Sequence, residues 1–133
     1  MEKFLIDTSA WIAGFQKKGS PLLKEFLTEK LVQGEVVTTG VVLLELLRGT
    51  KDESSYKLIR SRFEPVPVIK FDESFWEESA RLSFYLRGKG VQVSVPDVLI
   101  STVALQEGCT VGHCDRDYEM IAKHTHLKTL CFL

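Results

Sequence analysis

The chain reads as one α/β domain built on a small, mainly parallel sheet, and three observations predict it. Short apolar or β-branched runs at Lys3–Asp7, Glu35–Thr39, Pro65–Ile69, Cys109–Gly112 and Leu127–Leu133 alternate with stretches whose apolar residues recur at helical spacing. No repeat, low-complexity tract or linker interrupts residues 1–133, so a single domain is expected. With 133 residues, 44% of them hydrophobic and 26% charged, the chain can close a core without disulfides or a structural metal.

Taken in order, Phe4-Leu5-Ile6 is short and fully apolar, as a strand covered on both faces must be, and it ends in Asp7-Thr8-Ser9. Thr8 or Ser9 is expected to cap a helix that continues through Ala10-Trp11-Ile12-Ala13. After the loop Lys17–Ser20, Pro21 opens a second helix with Leu22, Leu23, Phe26, Leu27, Leu31 and Val32 on one side, stopped by Gly34. Glu35–Thr39 is β-rich and forms the second strand. Val41–Gly49 predicts a helix apolar on nearly every side except at Glu45, hence a buried one. Lys51–Phe63 is polar with scattered apolar residues, a surface helix, and Pro65–Ile69 reads as an edge strand, where proline is tolerated. Asp72 or Ser74 caps a long helix through Arg87, with Phe75, Leu82 and Leu86 on the core face, Trp76 and Ala80 beside them, and Phe84 opposite. Pro96 starts the next helix, which Gly108 ends. Cys109–Gly112, a helix carrying Met120-Ile121-Ala122, and Leu127–Leu133 complete the alternation.

The formal charge of −1 carries no electrostatic signature of nucleic-acid binding, although acids gathered in one metal-loaded pocket would leave the remaining surface more basic. The apolar run at the N-terminus is broken by Asp7, too early for a signal-peptide core or a membrane span, which predicts a cytosolic chain with no membrane association. Three cysteines, Cys109, Cys114 and Cys131, fit reduced thiols better than a disulfide framework. His113-Cys114 with Cys109, or His124 with His126, lacks the paired spacing of a closed zinc site.

Four acids stand out because apolar sequence surrounds them. Asp7 follows a strand, Asp115 follows another, Asp97 lies in the first turn of a helix, and Glu45 lies within one. Strand ends and helix starts of a parallel sheet meet at one edge, where the four can converge. Each also has a structural reading: Asp7 as a turn former, Glu45 as the ion-pair partner of Arg48, Asp97 as a macrodipole complement, Asp115 and Asp117 as capping acids. Convergent carboxylates repel unless a cation shares the site, and all-oxygen ligation selects Mg²⁺ or Mn²⁺. Such ions polarise a phosphodiester and orient an attacking water. Arg48 and Arg116, close to these acids, are candidate phosphate contacts.

Leu5-Ile6-Asp7-Thr8-Ser9, Leu43-Leu44-Glu45-Leu46-Leu47-Arg48-Gly49, Pro96-Asp97-Val98-Leu99-Ile100 and His113-Cys114-Asp115-Arg116-Asp117-Tyr118 resemble, in order, the motifs of PIN-domain ribonucleases, in particular VapC-type toxins of toxin–antitoxin pairs. The likeness spans almost the whole chain. It implies a three-layer α/β/α fold and a Mg²⁺- or Mn²⁺-dependent endoribonuclease acting on RNA. It also implies a homodimer, held inactive by a cognate antitoxin whose segment reaches the active site. By the same likeness Asp7, Glu45, Asp97 and Asp115 match a catalytic quartet and Asp117 an additional acid, with Asp7, Asp97, Asp115 and Asp117 holding the metal. Thr8 or Ser9 matches a hydroxyl that supports the first acid. His113, beside the ligands, stands where many members have Thr, and Tyr118 where many have Phe, the latter a change expected to cost nothing.

Two other readings compete. A PIN-like module that binds RNA or protein without chemistry would be favoured had any of the four acids been neutral, and an RNA-processing nuclease would share the site without the toxin role. A phosphatase using Asp7 as nucleophile would want a second acid two residues on, where Ser9 stands.

Overall fold

The computed structural model describes residues 2–133. Five strands, β1 (Phe4–Ile6), β2 (Val36–Thr39), β3 (Val68–Ile69), β4 (Thr110–His113) and β5 (Lys128–Cys131), form one sheet in the order β3-β2-β1-β4-β5. Every pairing is parallel, so the sheet is wholly rather than mainly so. Seven helices flank it: α1 (Thr8–Phe15), α2 (Pro21–Val32), α3 (Gly40–Arg48), α4 (Glu53–Arg62), α5 (Phe75–Gly88), α6 (Val95–Glu107) and α7 (Arg116–His124).

Burial follows strand position. β1, β2 and β4 are buried at every residue, as the continuous apolar run of β1 requires, whereas β3 and β5 at the two edges are partly exposed. Leu5, Ile6, Val42, Phe75, Val111, Tyr118 and Ile121 belong to one core cluster. From β1 the chain winds outward through β2 to β3, then crosses to β4 on the other side of β1. That reversal makes the carboxyl ends of β1 and β4 a topological switch point, the place where open parallel sheets bind ligands. There Ile6 lies in register with Gly112, and the Asp7 N–H donates to the Gly112 carbonyl at 3.0 Å.

Three local expectations are corrected. The cap of α1 is Asp7 and not Thr8 or Ser9: the Asp7 carboxylate accepts the Ala10 N–H, so the helix begins at Thr8, directly after the acid that follows β1. Helix α3 is not buried all round, because Leu44 is 67% exposed and, of its residues, Val42, Leu46 and Leu47 are buried. Trp76, placed by periodicity beside the core stripe of α5, is 63% exposed, since α5 packs chiefly on α6 and leaves its outer flank uncovered. Among the described residues no helix is long and apolar enough to cross a membrane.

Candidate functional site

The switch point gathers the acids that the sequence singled out. Asp7, just past β1, is buried, and both of its oxygens lie within reach of the Ser9 hydroxyl, at 2.8 and 2.7 Å. Ser9 Oγ in turn accepts the Cys114 N–H at 3.0 Å, which ties the start of α1 to the segment following β4. Of the two hydroxyls offered by the sequence, Ser9 therefore supports Asp7. Thr8 points elsewhere and donates to Glu45 Oε1 at 2.7 Å. Glu45 is half-buried on α3 and joins the site through that bond, while Arg48 is exposed and no ion pair links the two.

Asp97 and the pair Asp115–Asp117 come from the other side of the switch point. Asp97 sits on the first turn of α6, where Ser94 caps the helix by accepting the Asp97 N–H, and the N-terminal dipole favours its charge. Asp115 caps α7, accepting the Asp117 N–H at 2.9 Å. One carboxylate oxygen from each of Asp97, Asp115 and Asp117 lies within 4.8 Å of the others. Asp7 stands outside this trio yet close enough that Asp115 and Asp7 repel each other electrostatically. Glu45 is not part of the trio, and Arg116, the first residue of α7, is exposed at its edge.

The electrostatics record crowding without a counterion. Burial, opposed by the bonds from Ala10 and Ser9, pushes the Asp7 carboxyl up to about 6. Burial and the neighbouring Asp115 raise Asp97 as well. Among the described residues no Lys or Arg forms an ion pair with any of these acids. Oxygen donors alone, in surplus negative charge and with no protein cation, suit a hard divalent ion such as Mg²⁺ or Mn²⁺.

Two neighbours support the trio: His113, which the sequence placed beside the ligands, and Tyr118, which it did not single out. Tyr118, expected to be interchangeable with Phe, is fully buried, and its hydroxyl donates to Asp97 Oδ1 at 3.1 Å. Burial raises the phenol's pKa, as do Asp7 and Asp97, so it remains a donor throughout the useful pH range. His113, also fully buried, accepts the Asp115 N–H at Nδ1 from 3.1 Å, and burial lowers its pKa, which keeps the ring neutral. Tyr118→Phe leaves Asp97 without its side-chain donor and is expected to weaken Mn²⁺ binding by about tenfold or more, read by calorimetry. Unchanged affinity would show that the hydroxyl does not orient a ligand.

A model of the PIN domain matches residues 4–124. The chain is 28% identical to Ribonuclease VapC11 of Mycobacterium tuberculosis, over 96% of this chain and 98% of that protein. It is 31% identical to Ribonuclease VapC2 of the same organism, over 96% of this chain and 91% of the relative. Its fold superposes on DNA-bound VapBC from Salmonella typhimurium with a TM-score of 0.82 at 21% identity, covering 100% of both chains. Other solved structures of similar fold are described as toxin–antitoxin complexes or systems.

Proposed function

This chain belongs to the PIN-domain family, in its branch of VapC-type ribonuclease toxins, and from that premise we propose that it cuts RNA at the Asp97–Asp115–Asp117 trio with Mg²⁺ or Mn²⁺ bound. The observation that carries this reading is the approach of three carboxylate oxygens to within 4.8 Å at the switch point, with no Lys or Arg among the described residues in an ion pair with them. Asp97, Asp115 and Asp117 would hold the ion, with Asp7 as the fourth carboxylate beside them. A hard divalent ion there supplies charge to polarise a phosphodiester and lowers the pKa of water.

The chain's own residues do the rest. Tyr118 and Ser94 fix Asp97, through its carboxylate and its backbone N–H respectively. Ser9 holds Asp7 against the loop that carries Asp115. Asp7, buried and held by Ser9 and the Ala10 N–H, sets a fourth negative charge beside the trio. Glu45, anchored by Thr8, adds a carboxylate from α3, and Arg116 and Arg48, exposed and close in sequence to the motif acids, would contact an RNA backbone. A single-stranded or looped RNA fits best, because its backbone can enter a cleft that a duplex cannot.

The partner reading extends the same geometry. Beside Glu45 runs a cavity of about 400 Å³ flanked by Ile12, Phe15, Leu46, Thr50 and Ile59. An amphipathic segment of an antitoxin would bury its apolar face there and end at the acidic rim. Trp76 and Phe84 lie eight residues apart on α5, both exposed, with Ala80 midway. Two antiparallel copies of α5 would set each Trp76 against the other copy's Phe84, which supports a homodimer that sedimentation reads directly.

The decisive experiment incubates the purified chain with structured and single-stranded RNA in Mg²⁺, in Mn²⁺ and in excess EDTA. Cleavage in either metal, abolished by EDTA and restored by adding metal back, is the expected result. Binding of RNA without cleavage in both metals would favour the non-catalytic module.

A further inference from the structure

A second group of metal-ligating side chains shares no residue with the three aspartates. His113 ends β4, Cys131 ends β5, and the two are Cα partners in the parallel register, so their side chains leave the same face of the sheet. Glu119, on α7, closes the group: one ligand atom from each of His113, Glu119 and Cys131 lies within 4.8 Å of the others. On spacing the sequence disfavours His113-Cys114 with Cys109 as a metal site; the fold brings Glu119 and Cys131 to His113 instead.

The second observation is an orphaned atom. His113 has no exposed surface, and its Nε2 has no hydrogen-bond partner. The Glu119 Oε1 it faces is 3.7 Å away, too far for a bond. Meanwhile Glu119 Oε2 accepts the Thr129 hydroxyl at 2.7 Å, which holds the carboxylate with Oε1 turned toward the ring. A buried ring nitrogen left unpaired is costly, and an ion between Nε2 and Oε1 would satisfy both atoms.

We infer that His113 Nε2, Glu119 Oε1 and Cys131 Sγ form a second metal site, selective for Zn²⁺, whose occupancy loosens Asp115. One imidazole nitrogen, one carboxylate oxygen and one sulfur make a zinc donor set, with a fourth position left for water, and differ from the all-oxygen trio. The coupling follows from the proton balance. While Nδ1 accepts the Asp115 N–H, the neutral ring carries its proton on Nε2. Loading the ion moves that proton to Nδ1, Cys131 gives up its thiol proton to solvent, and no electrons are transferred. Nδ1 then presents a donor to the Asp115 N–H, that bond is lost, and the segment aiming Asp115 at the trio slackens. Zinc at this site therefore slows the metal-dependent cleavage proposed above.

The test uses the full chain in excess Mg²⁺, with Co²⁺ as the spectroscopic stand-in for zinc. One equivalent is expected to give a sulfur-to-cobalt charge-transfer band that Cys131→Ser abolishes and Cys114→Ser keeps. With zinc added, the Asp115 amide is expected to exchange with solvent several-fold faster in the parent chain and at an unchanged rate in Cys131→Ser. Cleavage is expected to fall several-fold on adding zinc to the parent but not to Cys131→Ser. No band, or a band that survives Cys131→Ser, overturns the site. A band without faster Asp115 exchange overturns the coupling. The slowing of cleavage rests on the ribonuclease reading, whereas band and exchange do not: a chain that cuts no RNA fails that reading and leaves the zinc site to be decided by its spectrum.

Discussion

Asp97→Asn is expected to lower RNA cleavage in Mg²⁺ by about a thousand-fold or more, equivalent to about 4 kcal/mol of transition-state stabilisation, while the chain folds as before. The substitution changes charge and almost nothing else. Asn keeps an oxygen at the position that accepts the Tyr118 hydroxyl, and Ser94 still caps α6 through a backbone N–H. What disappears is one of three negative charges held within 4.8 Å of each other, the charge that gives a hard cation its reason to bind. Because burial and Asp115 raise the Asp97 pKa, the ionised carboxylate is a burden on the metal-free fold. The variant should therefore melt in EDTA at or above the parent's temperature. Loss of activity together with retained or raised stability separates a ligand from a structural residue, and cleavage at the parent rate would show that Asp97 holds no ion.

Much of this arrangement could be read from sequence because it depends on local rules. A short apolar run followed by Asp-Thr-Ser marks a buried strand and a helix start, so Asp7 at the carboxyl end of β1 was legible. Pro96 near a helix start placed Asp97 in a first turn in the same way. That both lie at one switch point follows from a parallel sheet with a reversal beside β1. The less legible features are those that depend on partners distant in the chain. Nothing near Tyr118 announces that its hydroxyl reaches Asp97, 21 residues earlier. Cys131 faces His113 only because β5 pairs with β4 in one register, and a slip of one residue would turn its side chain to the other face. Trp76 misled for the opposite reason. Helical spacing reports which residues share a face, but not whether a second layer covers it, and the uncovered flank of α5 is what the homodimer reading occupies.

The acid that caps α1 gives the second large effect, seen in stability rather than rate. In EDTA, Asp7→Asn is expected to match the parent at about pH 4 and to be more stable by up to about 3 kcal/mol at about pH 7.5. The magnitude follows from a carboxyl raised from 3.8 to about 6 on folding. A raised folded pKa means that the native state binds the proton more tightly than the unfolded chain does. Its stabilising contribution is whole below about pH 4, and it drains away as the pH rises through about 6. Asn cannot ionise yet still caps α1 by accepting the Ala10 N–H, so the helix start survives the change. Buried His113, whose pKa is lowered, works in the other direction, adding stability as the pH rises past the range where the unfolded ring titrates. It is common to both proteins and cancels from their difference. Adding Mg²⁺ at about pH 7.5 should narrow the gap, because a bound cation relieves the repulsion that the parent carries and Asp7→Asn does not. Urea titrations of the two proteins at several pH values, with and without metal, measure every part of this. A difference independent of pH would mean that Asp7 is no more buried as an anion in the folded chain than in the unfolded one, and a gap indifferent to Mg²⁺ would remove Asp7 from the metal's surroundings.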